Sequence, residues 1–119
     1  MRIAVLTHRK EALLDFAAGL GLVQDWLDTE AAVLAQAKTE TWDLLVVDGT
    51  MPGLTYATFV AQLLRVNAMI NTAVIIDQAE TVFHEGSEGL GILCSVPAEP
   101  VQTDGAAVAE KLRNLLGLV

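Results

Sequence analysis

Short uninterrupted apolar runs alternate along the chain with segments in which apolar residues recur every three or four positions. Residues 2–6 hold four apolar residues in succession, Ile3-Ala4-Val5-Leu6, which predicts a strand covered on both faces. From Glu11 to Leu20, the residues Leu13, Phe16, Ala17 and Leu20 fall at helical spacing, and Gly19 and Gly21 mark the helix end. Residues 22–27 predict a weaker strand, and Thr29 is placed to cap an alanine-rich helix from Glu30 to about Lys38. The clearest strand is Leu44-Leu45-Val46-Val47, ending at Asp48. Gly49 to Gly53 then reads as a loop, with Pro52 and Gly53 as turn residues. Thr55 to about Ala68 predicts a helix with Phe59, Leu63 and Val66 on one face. Residues 73–76 repeat the strand-then-aspartate pattern, ending at Asp77, and a short acidic helix is expected over Glu80 to Glu85. Gly91 to Val96 is a last apolar strand stopped by Pro97, and Asp104 is placed to cap a final helix carrying Val108, Leu112 and Leu115.

Five strands alternating with five helices predict one α/β domain over residues 1–119. Strands joined by helical crossovers run parallel, so the expected architecture is a doubly wound, five-stranded (βα)5 sandwich of three layers. In such sheets, sites form beyond the carboxyl ends of the strands. The residues to inspect are therefore Thr7 and His8 after the first strand, Asp48 after the third, Asp77 after the fourth and Val96 at the end of the fifth.

Composition narrows the function classes. With 53% hydrophobic and 18% charged residues, the chain can bury a core and is not a disordered segment. No apolar run reaches the ~20 residues of a membrane span, the N-terminus lacks the charge order of a secretory signal, and the one cysteine, Cys94, predicts a reducing compartment, so a cytoplasmic location is expected. The net charge of −8 argues against nucleic-acid binding. Between Val66 and Glu110 there is no Lys or Arg, whereas seven acidic residues fall there, among them Asp77, Glu99, Asp104 and Glu110. That stretch is either a solvated acidic face or a docking surface for a basic partner.

The segment Trp42-Asp43-Leu44-Leu45-Val46-Val47-Asp48-Gly49-Thr50-Met51-Pro52-Gly53-Leu54 resembles the third strand, phospho-accepting aspartate and Met-Pro-Gly loop of response-regulator receiver domains. The resemblance covers essentially the whole chain, and it implies a CheY-like (flavodoxin-like) fold and a place in two-component phosphorelay signalling, with Asp48 at the phospho-acceptor position. It also implies where the rest of the site should be. The paired acids that hold Mg²⁺ in the family correspond to Thr7 and His8, the strand-four hydroxyl to Asp77, the strand-five lysine to Val96 and the aromatic switch residue to Leu93. Of the usual set only Asp48 and Pro97 are kept.

These departures predict a pseudo-receiver without enzymatic activity and with impaired Mg²⁺-dependent phosphorylation. Phosphoryl transfer to a carboxylate depends on cations that neutralise the building negative charge, and neither the acidic pair nor the lysine is present. No cofactor is therefore expected. Asp77 is expected to share the crevice with Asp48, so a cation should compensate them, with His8 or Arg9 the local candidates. With Asp77 and Leu93 at the switch positions, a single fixed conformation is expected. The output is expected to be contact with a protein, either a histidine kinase or a basic target, because the chain ends just past its last helix. A phosphorylation-competent receiver and a flavodoxin-like cofactor binder remain alternatives. Cys94 reads as packing, His84 as solvent-exposed, Trp26 and Trp42 as the rim of the core, and the glycine-rich Gly86–Gly91 stretch as a connection.

Overall fold

The computed structural model describes residues 1–77 and 89–118. Strands β1 (Ile3–Leu6), β2 (Asp25–Leu27), β3 (Leu44–Asp48), β4 (Asn71–Ile75) and β5 (Ile92–Val96) form one parallel sheet in the order β2-β1-β3-β4-β5. The described helices are α1 (Leu14–Leu20, entered through a 3-10 turn at Lys10–Leu13), α2 (Glu30–Gln36), α3 (Tyr56–Val66) and α4 (Gln102–Leu116). The expected doubly wound α/β fold is thus what the chain adopts. The expected helix over Glu80 to Glu85, His84 and the start of the glycine-rich stretch lie outside the described residues.

Pleating explains the layers. Successive side chains of a strand point to opposite faces, so the unbroken apolar runs supply both. Ala4, Leu6, Leu45 and Val47 pack with Val33 of α2 and Phe59 of α3. Ile3, Val5, Leu44 and Val46 pack with Phe16 of α1 and Leu112 of α4 on the other face. Sequence order runs outward from β1 to β2 on one side and to β3 on the other, which puts the topological switch between β1 and β3. Leu6 pairs with Val47 and Asp48 with Ile75, so the residues that follow Leu6 emerge beside Asp48.

Several elements differ from the sequence expectation for physical reasons. The second strand is confined to Asp25–Leu27, and α2 ends at Gln36. The fourth strand starts two residues earlier, at Asn71, whose backbone and side-chain N–H groups both donate to the Asp43 carbonyl. α3 stops at Val66 because Asn67 takes an extended backbone. Asp104 does not precede the final helix. Val101 holds the cap position, and Asp104 lies inside the first turn, where its carboxylate accepts the Val101 N–H at 2.8 Å. Leu115 is exposed, and the buried stripe of α4 is Val108, Ala109 and Leu112. Trp42 belongs to the core and not its rim. Its ring is buried, and its indole N–H donates to Asp25 at 2.8 Å.

α1 and α4 touch backbone to backbone through a reciprocal pair of glycines. A Cβ on Gly19 would lie 1.9 Å from the Gln102 carbonyl oxygen, and one on Gly105 would lie 2.0 Å from that of Phe16. Asp15 completes the contact by accepting the Gln102 N–H at 2.9 Å, so a carboxylate of α1 satisfies an end group of α4. Gly105→Ala is expected to destabilise the fold by about 3 kcal/mol, the upper end for overpacking, because the clashing atom is main chain and cannot swing aside. Urea denaturation checks this, with the open-sided Gly53→Ala as the comparison for purely conformational strain.

Candidate functional site

The site forms where the ends of β1 and β3 meet the segment that follows β5. Asp48 is the last residue of β3, and its side chain is only 1% exposed. A buried carboxylate requires donors, and three neighbouring residues supply five. Thr7, directly after β1, donates its hydroxyl to Oδ2 at 2.7 Å. Arg9 sets a guanidinium fork against both oxygens, with Nε at 2.8 Å from Oδ2 and Nη2 at 3.3 Å from Oδ1. Thr50, two residues on in the loop, adds its N–H at 3.1 Å and its hydroxyl at 2.6 Å, both to Oδ1.

Arg9 reaches further than Asp48. Nη2 also donates to the Ala98 carbonyl at 2.5 Å, and Nη1 to the Glu99 carboxylate at 3.2 Å. One side chain therefore joins the ends of β1 and β3 to the β5–α4 connection. Its own backbone N–H donates to the Thr7 hydroxyl oxygen at 3.0 Å, which orders the turn that aims it. Burial pushes the Asp48 carboxyl towards its neutral form, but donation from Arg9, Thr50 and Thr7 outweighs that and holds it below the usual carboxylate range. In return, the bond to Asp48 raises Arg9 above its ordinary value, against the opposing effect of partial burial.

The other sequence candidates are placed differently. His8 turns away from Asp48 and is exposed, with Nε2 2.7 Å from the Asp28 carbonyl oxygen. Asp77 is exposed beyond the end of β4, and the donors gathered around Asp48 come from Thr7, Arg9 and Thr50. The carboxylates that Arg9 meets are those of Asp48 and Glu99. Val96 is buried in the sheet beside Ile75, and Leu93 packs on the core layer of α1 and α4. Cys94 is half-buried, and burial pushes its thiol up against a smaller opposite pull from Lys111. Sequence reasoning missed Thr50, Ala98 and Glu99. The Asp-x-Thr spacing of an Asx-type turn was a usable signal for Thr50, whereas nothing local marks the other two.

The donor set does not fit Mg²⁺, the ion that the receiver resemblance implies. Mg²⁺ takes oxygen ligands in octahedral array, whereas both Asp48 oxygens face N–H and O–H donors, and Thr7 and His8 bring no second carboxylate. Among the described residues, no group of three or more His, Cys, Asp or Glu side chains is placed to hold a metal ion.

No protein-family model matches the sequence, and no curated protein matches it. Solved structures match its fold closely. A CheY-like response-regulator receiver domain protein from Methanospirillum hungatei superposes with a TM-score of 0.77 at 16% identity, covering 98% of this chain and 96% of that one. The signal receiver domain of a modulated diguanylate cyclase from Desulfovibrio desulfuricans gives 0.75 at 12% identity, covering 98% and 96%. An uncharacterized protein from Neptuniibacter caesariensis gives 0.79 at 17% identity, covering 98% and 90%. The chain has the CheY-like receiver fold.

Arg9→Met should destabilise the protein by about 3 kcal/mol at neutral pH, the low end for removing one partner of a buried ion pair, because Thr7 and Thr50 still donate to the remaining carboxylate. The sign of the pH dependence follows from the lowered Asp48 value. In the wild type, its stabilisation is present above the ordinary carboxylate pKa of about 3.9 and is lost as pH falls through the native one. Arg9→Met removes the strongest of the donors that hold the Asp48 carboxyl down, so its native value moves up relative to the wild type. The stability difference between the two proteins should therefore shrink as pH falls through the carboxylate range, as measured by denaturation from neutral pH to below about 3.9.

Proposed function

We propose that this chain is a receiver-fold signalling module of the two-component, phosphorelay kind, a pseudo-receiver that acts by binding a protein partner and accepts phosphate poorly. The observation that supports the reading is the saturation of Asp48. A carboxylate attacks a phosphoryl group through a free oxygen lone pair, with cations positioned on the transferring oxygens. Here a carboxylate with about four lone-pair directions already meets five donors, including a guanidinium fork. Attack requires breaking that fork, and Arg9 is then drawn off by Asp48 and Glu99 instead of neutralising phosphate oxygens. No catalytic group and no resident cofactor enter this reading.

In an ordinary receiver, a metal and a phosphoryl group supply the charge that fixes the site. In this reading, Arg9 supplies a permanent positive charge from the β1 side and holds the β5–α4 connection through Ala98 and Glu99. The module therefore stays in one conformation and is read by its partner without a chemical signal. Asp77, Glu99 and Glu110 are exposed in the stretch devoid of Lys and Arg, which favours a basic target protein or a basic surface of a histidine kinase. No helix among the described residues is long and apolar enough to cross a membrane; the proposed site of action is the cytoplasm.

Incubation with acetyl phosphate and Mg²⁺, followed by intact-mass measurement, tests the reading. The expected result is an unchanged mass under conditions that label a receiver with its full acidic site. A mass gain of one phosphoryl group that vanishes in Asp48→Ala would overturn it in favour of a phosphorylation-competent receiver.

A further inference from the structure

The run Thr7-His8-Arg9-Lys10 feeds two places. Thr7 and Arg9 turn to Asp48, whereas His8 and Lys10 turn the other way, towards β2. There they line an open cleft of about 540 Å³ together with Thr7, Trp26, Leu27 and Asp28, beyond the carboxyl ends of β1 and β2. The volume falls in the range of small-molecule sites, and the position is one where open α/β sheets bind ligands. In a chain of net charge −8, Arg9-Lys10 is the longest run of basic charge, with His8 beside it, and Arg9 is already committed to Asp48.

We propose that this cleft binds a small phosphate monoester, with the phosphate at Lys10 and His8 and the organic body against Trp26 and Leu27. Both side chains are held. The Lys10 ammonium sits 5.2 Å from the centroid of the Trp26 ring, a cation–π contact that fixes it at the wall of the cleft. The His8 ring is tied by Nε2 to the Asp28 carbonyl, which can only accept, so Nε2 carries the hydrogen and Nδ1 is left uncommitted among the described residues. Nδ1 can accept from a P–OH group or, once protonated, donate to a phosphate oxygen.

The donors decide between anions. A carboxylate matches a planar guanidinium fork, and the fork in this neighbourhood is spent on Asp48. A lysine ammonium that donates and a separate imidazole nitrogen that accepts suit a tetrahedral group carrying both P–O⁻ and P–OH oxygens, and a phosphate of roughly −1.5 to −2 charge gains more from the ammonium than a carboxylate does. The cleft is larger than a bare phosphate needs, and its indole and leucine walls suit an apolar or planar body. The Asp28 carboxylate at the same rim is available to a hydroxyl or amino group on that body.

Titration of the isotope-labelled chain with AMP, inorganic phosphate and adenosine, followed by amide chemical shifts, tests the assignment. Saturable shifts with AMP are expected, centred on residues 7–10 and 26–28, with inorganic phosphate and adenosine each binding about tenfold more weakly. Lys10→Met should weaken AMP about tenfold, the loss of one charge-assisted contact, while leaving the unfolding midpoint in place. The proposal is overturned by no saturable shift at about 10 mM AMP, by shifts centred elsewhere, by adenosine or phosphate matching AMP, or by Lys10→Met binding as the wild type does.

Discussion

A carboxylate almost sealed from solvent at the end of a central strand is tolerable only if charge and hydrogen bonds follow it inside. Asp48 sets that requirement, and the loops around it are arranged to meet it. Thr7 and Thr50 bring neutral donors from the two adjacent strand ends, and Arg9 brings the charge. The pair is asymmetric. Arg9 keeps 24% of its side chain exposed, so it gives up only part of its hydration, whereas Asp48 gives up nearly all of its own. That asymmetry lowers the desolvation penalty that usually makes buried ion pairs break even. It also explains why Arg suits this position better than Lys. Two oxygens, the Ala98 carbonyl and the Glu99 carboxylate are reached by one planar group with five N–H donors, which a single ammonium cannot span in the same geometry.

The crevice depends on a scaffold that keeps the ends of β1, β3 and β5 in register. Parallel pairing aligns Leu6 with Val47, and Ile75 with both Asp48 and Val96, so the three strand ends finish at one level. On one face, α1 and α4 clamp that level. Their glycine contact brings the helices to backbone distance, and the Asp15 carboxylate anchors the start of α4 just after the connection that Arg9 grips. Arg9 and Asp15 therefore hold the two ends of one short segment, from Ala98 to Gln102. Every buried side-chain nitrogen and oxygen among the described residues has a partner, as a fixed arrangement requires.

The fold was legible because its signals are local and redundant. Unbroken runs such as Leu44–Val47 cannot serve a one-sided sheet, and helix-period segments between them leave parallel pairing as the way to connect. Boundaries were less legible where tertiary contacts decide them. Asn71 joins β4 because Asp43 accepts its N–H groups, and Asp104 lies inside α4 because Val101, an apolar residue, takes the cap position. In the site, Asp48 was marked by its motif and Arg9 by proximity in sequence. Which cation turns inward is a matter of alternation after β1, and a one-residue difference in that turn would have presented His8. Asp77 follows its strand much as Asp48 ends its own, yet it is exposed where Asp48 is buried. Ending a strand with an aspartate does not say whether the side chain points into the crevice or out to water.

Alternation also gives the run after β1 its two-sided character. Thr7 and Arg9 serve a buried carboxylate, so their substitution is constrained by the stability of the fold. His8 and Lys10 are exposed and contribute little to it, His8 through one bond to a backbone carbonyl and Lys10 through a contact with Trp26. Thr7 borders both sides, since its hydroxyl donates to Asp48 while the residue lines the neighbouring cleft. Anything that pulls His8 or Lys10 further from the sheet must act on the same four-residue turn that aims Arg9. The N–H that Arg9 gives to the Thr7 hydroxyl ties that turn to the residue that both faces share.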